Sequence, residues 1–248
     1  MKQPTGFRIG SVLKRTGSVF ARNFFSLAGI AAIAVVPGLV TPARDGYAPI
    51  NLGLPAWAAI SIYVNSILLG QSIMCFVAFQ RLRGRPISLS EGIKAALHRS
   101  FLLVGITFLI LVTIGILQSR SESYAAGGLA GVIFLFIWVM ALPGCVIEGL
   151  GVLRSFGRSW ALSKGHRGKM LVLVLLALAA LVGLLEMMRF LVRAILSFGP
   201  PGLIGPIARI DQLTWTALWT VFFAILLAVS YHKLRAAKEG DRLVEVFE

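Results

Sequence analysis

Six stretches of the chain are apolar over lengths that suit a bilayer: roughly 24–42, 56–79, 101–118, 128–149, 170–188 and 213–231. Each is near the ~20 helical residues that cross about 30 Å of hydrocarbon at 1.5 Å per residue, the third and fifth being the shortest. Ahead of each odd-numbered span lies a segment with a different, two-faced pattern. In the first of these, Ile9, Val12, Leu13, Thr16, Val19 and Phe20 recur at i, i+3, i+4 and i+7. Arg8, Lys14, Arg15 and Arg22 fall largely outside that stripe.

The three segments resemble one another. Ser11 to Ala21 aligns without a gap on Gly151 to Ala161, matching Val-Leu-basic, a glycine, an aromatic and an alanine. Gly92 to Arg99 matches more weakly. Ser88-Leu89-Ser90-Glu91 reads as a capping box for the second helix, and Gly165 as the stop of the third. Basic amphipathic helices with Phe or Trp on the apolar face lie in the headgroup plane. The pattern therefore predicts an all-α polytopic membrane protein with about six transmembrane helices and three in-plane amphipathic helices on the cytoplasmic face. It is a single membrane domain of three repeats (1–79, 80–149 and 150–232) with a cytoplasmic tail at 233–248. The connections opposite, roughly 43–55, 119–127 and 189–212, are too short for a soluble domain.

Composition narrows the class. Hydrophobic residues make up 57% of the 248 and charged residues 14%, against about 25% charged in ordinary soluble domains. Mean hydropathy is +0.85. These values argue against a soluble domain of ordinary size, a disordered chain, a collagen and a disulfide scaffold.

The net charge of +14 would suit a nucleic-acid binder, but the placement of the charges argues for topology. Nineteen of the 24 Lys and Arg residues fall in the N-terminal segment, the segments after spans two and four, and the tail. The other side holds five: Arg44, Arg120, Arg189, Arg193 and Arg209. Cytoplasmic loops retain Lys and Arg, so both termini are expected in the cytoplasm, with no nucleic-acid partner. The basic run before span one looks like a signal region. No small-x-small site closes it before Pro37 and Pro42, so span one reads as a retained anchor. Cys75 and Cys145 sit within spans and read as small buried apolar residues.

Polar residues at membrane depth are the candidates for function. Ser61, Asn65 and Ser72 share one face of span two, with Gln71 beside it. That face is either hydrogen-bonding glue between helices or the wall of a polar cavity. Glu148 ends span four after Pro143-Gly144, and Arg154, Arg158 and Lys164 follow it. An ion pair there would fix the angle between the span and the next helix; headgroup binding and proton coupling are the alternatives. Glu186 and Arg189 read as a local pair, Trp57, Trp215 and Trp219 as an outer aromatic belt, and Gly127-x-x-x-Gly131 as a close-packing surface.

No chemistry-bearing motif is present: no phosphate loop, nucleophile elbow or dinucleotide fingerprint. His98, His166 and His232 lack metal-ligand spacing. No metal, cofactor or catalytic residue is expected.

Pro143-x-x-Val146-x-Glu148-Gly149-x-Gly151, followed by Ser155-x-x-Arg158-Ser159-x-x-Leu162-x-Lys164-Gly165, resembles bacterial inner-membrane proteins of the YciC kind. These overlap with the glycerophosphoryl diester phosphodiesterase membrane-domain group. Phe7-Arg8-Ile9-Gly10-Ser11-Val12-Leu13 and Tyr231-x-x-Leu234-Arg235-x-x-Lys238-Glu239-Gly240 extend the likeness over nearly the whole chain. The resemblance implies a six-span scaffold in the bacterial cytoplasmic membrane, and marks Glu148, Arg158, Lys164 and Arg235 as its shared cluster. It does not imply the phosphodiesterase activity, which belongs to a separate soluble barrel.

Three functions follow as expectations. The first is a non-enzymatic integral membrane protein organising lipid, above all anionic lipid, or a membrane protein complex. Glu148, Arg154, Arg158, Lys164 and Arg235 would then bind lipid or partner. The second is a small transporter or channel using Ser61, Asn65 and Ser72. The third is an enzyme acting on lipid headgroups through Glu148 and the histidines.

Overall fold

The structure is a computed structural model and describes residues 9–40, 53, 56–85, 89–98, 141–196 and 204–239. All described regular structure is helical. It comprises α1 (Ile9–Val35) with a 3-10 turn (Val36–Val40), α2 (Ala56–Leu82), α3 (Leu89–His98), α4 (Val152–Ser163), α5 (Arg167–Leu196) and α6 (Ile204–Glu239). A further helical stretch occupies 141–148.

Four helical segments among these residues are long and apolar enough to cross a membrane: Ile9–Leu39, Ala58–Leu82, Arg167–Val192 and Pro206–Lys238. They correspond to expected spans one, two, five and six. Span three, most of span four, Gly127-x-x-x-Gly131, Arg44, Arg120 and the side chains of Trp57 and Arg193 lie outside the described residues.

The N-terminal segment departs from expectation. It is not a separate in-plane helix but the first turns of α1, which runs unbroken into the span. The repeat itself supplies the reason. The third segment stops because Gly165 takes φ +87°, a conformation that costs glycine little. The residue equivalent to Gly165 in the first segment is Phe25, with no glycine or proline between Ser18 and Val35 apart from Gly29 inside the helix. Nothing there ends the helix. Pro143-Gly144 also lies within helix.

The core is built around α6, which is buried on every side from Phe223 to Tyr231. A helix apolar all round must be enclosed, and α1 and α2 run along it. Leu27 and Ala31 of α1, Met74 and Phe79 of α2, Leu142 and Val146, Leu162 of α4 and Leu173 of α5 complete the packed cluster. α5 is peripheral. Met170, Leu173, Val174 and Ala177 face inward, while Leu175, Leu176, Met187 and Phe190 are exposed, an arrangement that costs little where the surroundings are acyl chains.

Small residues bring α1 and α2 together. A Cβ on Gly70 would lie 2.5 Å from the Ala34 Cβ, and the Ser66 hydroxyl donates to the Ala34 carbonyl. At the same end, Arg209 of α6 donates to the Gly38 carbonyl and, at 2.7 Å, to Gln212 Oε1. Arg209 is only 4% exposed, so its charge is held by backbone and amide oxygens as burial demands.

Candidate functional site at the basic end of the bundle

Glu148 is the last residue of the helical stretch 141–148. Gly149, at φ +71°, then turns the chain into α4. That turn brings Arg158 back over the carboxylate. Arg158 Nε is 3.1 Å from Glu148 Oε2, and Nη2 is 3.3 Å from Oε1, a two-pronged contact. From α6, the Tyr231 hydroxyl donates to Glu148 Oε1, and Arg235 Nη1 lies 3.6 Å from it. Tyr231 and Arg235 reach one carboxylate because residues four apart share a helix face.

Glu148 is 16% exposed. A carboxylate so enclosed is stable only with opposite charge and donors around it, and two guanidiniums and a phenol supply both. The group links three segments, 141–148, α4 and α6. Sequence reasoning named Glu148, Arg158 and Arg235 but missed Tyr231, whose signal was its i, i+4 spacing to Arg235.

Arg154 and Lys164 are not in this group. On a wheel at 100° per residue Arg154 lies with Leu153, Gly157, Trp160 and Ala161 on the exposed side of α4, and Lys164 is exposed just past its last turn. The buried side carries Ser155, Ser159, Leu162 and Ser163. α4 therefore turns its small polar residues inward and presents Leu153, 82% exposed, and Trp160, 57% exposed, to its surroundings. The Arg167 guanidinium stacks 3.5 Å from the Trp160 ring centroid, a cation–π contact that sequence reasoning also missed.

Positive charge is crowded at this end. Arg83 lies 5.9 Å over the Phe79 ring. Its guanidinium is held below the ordinary arginine range by partial burial and then by Arg85 and Arg235.

The polar face of α2 spends much of its hydrogen bonding locally. Asn65 Nδ2 donates to the Ser61 carbonyl at 2.8 Å, and the Ser72 hydroxyl to the Leu68 carbonyl at 2.7 Å. Ser72 is fully buried, while Ser61 and Asn65 are half-buried. The histidines are dispersed: His98 exposed at the end of α3, His166 in the turn before α5, and His232 edge-on to Phe79 at 5.9 Å. Among the described residues no three His, Cys, Asp or Glu side chains group as a metal site. Glu186 and Arg189 pair at 3.0 Å, as their spacing predicts. Trp215 donates to Asp211 at 2.7 Å, and Trp219 stacks on Phe223.

Comparison of the chain with protein-family models, curated proteins and solved structures gave no match.

Proposed function

We propose that this is a non-enzymatic integral membrane protein of the YciC-like kind, resident in a bacterial cytoplasmic membrane, that organises anionic lipid at the cytoplasmic face. In this reading the chain crosses six times, both termini are cytoplasmic, and α3 and α4 lie in the headgroup plane.

The outer face of α4 carries the reading. Leu153 and Trp160 stand exposed beside Arg154 and Lys164, which is the pairing of apolar and cationic groups that an acidic interface accepts. Each nearby cation adds about 1 kcal/mol of attraction to anionic lipid. The Glu148 group is the brace that sets α4 against α6, so Arg158 and Arg235 position the surface while Arg154 and Lys164 face lipid. A membrane protein partner is the other occupant such a face would accept.

The test is lipid retention. The Arg154→Gln/Lys164→Gln protein, extracted gently from its own membrane, should carry fewer anionic lipids than the parent, with neutral lipid unchanged. Equal anionic lipid in both would overturn the assignment.

A further inference from the structure

The cations of α1 are exposed, yet they share one concave surface with cations of other segments. Lys14, Arg15 and Arg22 line a cleft of about 870 Å³, whose other walls are the end of α2, with Arg81 and Arg85, and Lys233 of α6. That volume lies in the range of ligand sites. No carboxylate is among the lining residues, and Lys14, Arg15, Arg22, Arg81 and Lys233 meet none among the described residues. Those five like charges around one space repel each other. An anion with several oxygens relieves that repulsion, and guanidiniums match phosphate oxygens in pairs.

The same face of α1 continues as something different. Measured from Lys14 on a wheel at 100° per residue, Ser18, Arg22, Phe25, Gly29 and Ile33 all fall within about 100°. Phe25 is 90% exposed and Ile33 75%. A Cβ at Gly29 would meet nothing within 4 Å. One helix face thus passes from cations to an open apolar track over roughly 12 Å from Phe25 to Ile33.

We propose that this face binds a phospholipid whose headgroup carries more than one negative charge. The phosphate oxygens sit among Lys14, Arg15, Arg22, Arg81, Arg85 and Lys233, and an acyl chain lies along Phe25, Gly29 and Ile33. A soluble phosphate ester offers the same oxygens, but the apolar track gives such a ligand nothing to contact. The proposal rests on the lipid-organising reading, yet it uses a surface separate from the outer face of α4.

The whole chain, purified in neutral detergent, is titrated with phosphatidate, phosphatidylglycerol or phosphatidylcholine in mixed micelles, and with glycerol 3-phosphate alone. Phosphatidate should bind at least about tenfold tighter than phosphatidylglycerol, and Lys14→Gln/Arg22→Gln should weaken it by about tenfold or more. Arg81→Gln, on the facing wall, should act in the same direction. Arg22→Lys should retain most of the affinity, which separates charge loss from misfolding. Phe25→Ser should weaken phosphatidate and leave glycerol 3-phosphate unchanged.

Indifference to headgroup charge, or parental affinity in the cleft variants, overturns the proposal. So does an equal loss in Arg154→Gln/Lys164→Gln, since the effect would then be diffuse charge. Glycerol 3-phosphate binding as tightly as phosphatidate, with no Phe25 effect, overturns the lipid in favour of a soluble phosphate ester. Loss in the cleft variants with unchanged lipid retention in the α4 variant would sink the α4 reading alone.

Discussion

Glu148 Oε2 and Arg158 Nε lie 3.1 Å apart across the turn that joins helical stretch 141–148 to α4. The pair fixes where α4 leaves the bundle, and Arg235 ties both to α6. Glu148→Gln would leave two guanidiniums facing each other without a counter-charge. The expected loss is about 2–4 kcal/mol, read as a lower unfolding temperature in detergent. Glu148→Gln/Arg158→Gln should lose less than the two single losses added together, because the second change removes one of the stranded charges. Strict additivity would show that the two side chains do not act as a pair.

The contact of Gly70 with Ala34 leaves no space for a side chain. Gly70→Val should part α1 from α2 and cost about 1–3 kcal/mol or more. Gly29→Ala, on an open face of the same helix pair, should be neutral or slightly stabilising. Thermal unfolding of the two variants side by side checks the contrast, and a Gly70→Val protein as stable as the parent would contradict the packing.

Trp160 should report the interface. In bilayers containing lipids brominated near the glycerol backbone, its emission should be quenched, and the quenched component should vanish in Trp160→Phe. Arg167→Gln removes the cation stacked on the ring and should shift the emission maximum. Quenching only by lipids brominated at the chain ends would place α4 deep in the membrane.

Several segments meet at one end of the molecule. Lys14, Arg81, Arg85 and Lys233 share a cleft, and Arg235 joins Glu148 and Arg158. With Cys75 and Cys145 replaced by serine, single cysteines at positions 85, 154 and 233 should all react with an impermeant thiol reagent from the same side. A cysteine at position 189 should react only from the other. Reaction of 85 and 154 from opposite sides would break the layout.

Much of the architecture was legible because membrane spans announce themselves by length and apolarity. α2, α5 and α6 fall where the hydropathy pattern puts them. Gly165 stops α4 because its backbone angle is one that side-chain-bearing residues avoid. Glu148 stood out since a carboxylate at the edge of hydrocarbon must be neutralised, and the arginine ten residues on does so. What escaped was the part set by rotation of helices about their axes. The inward side of α4 is mostly serine, while Leu153 and Trp160 face outward. An apolar stripe points inward only when water lies outside. The cleft beside the basic stripe of α1 escaped as well, because nothing in a one-dimensional pattern says that the end of α2 and Lys233 of α6 stand opposite Lys14. Tyr231 was hidden for the same reason. It sits 83 residues from Glu148, and its one local sign, the i, i+4 spacing to Arg235, does not point to that carboxylate.

The helix that everything else surrounds is also the last of those described to leave the ribosome. α1 and α2 are complete roughly 120 residues before α6 begins, a wait of about 6–25 s at ordinary elongation rates. During that interval the faces of α1 and α2 destined for Phe223 to Tyr231 have only lipid, each other or an insertion chaperone to rest against. Biogenesis of this protein is therefore a holding problem, in which early helices must stay near one another without committing to a wrong neighbour until their keystone arrives.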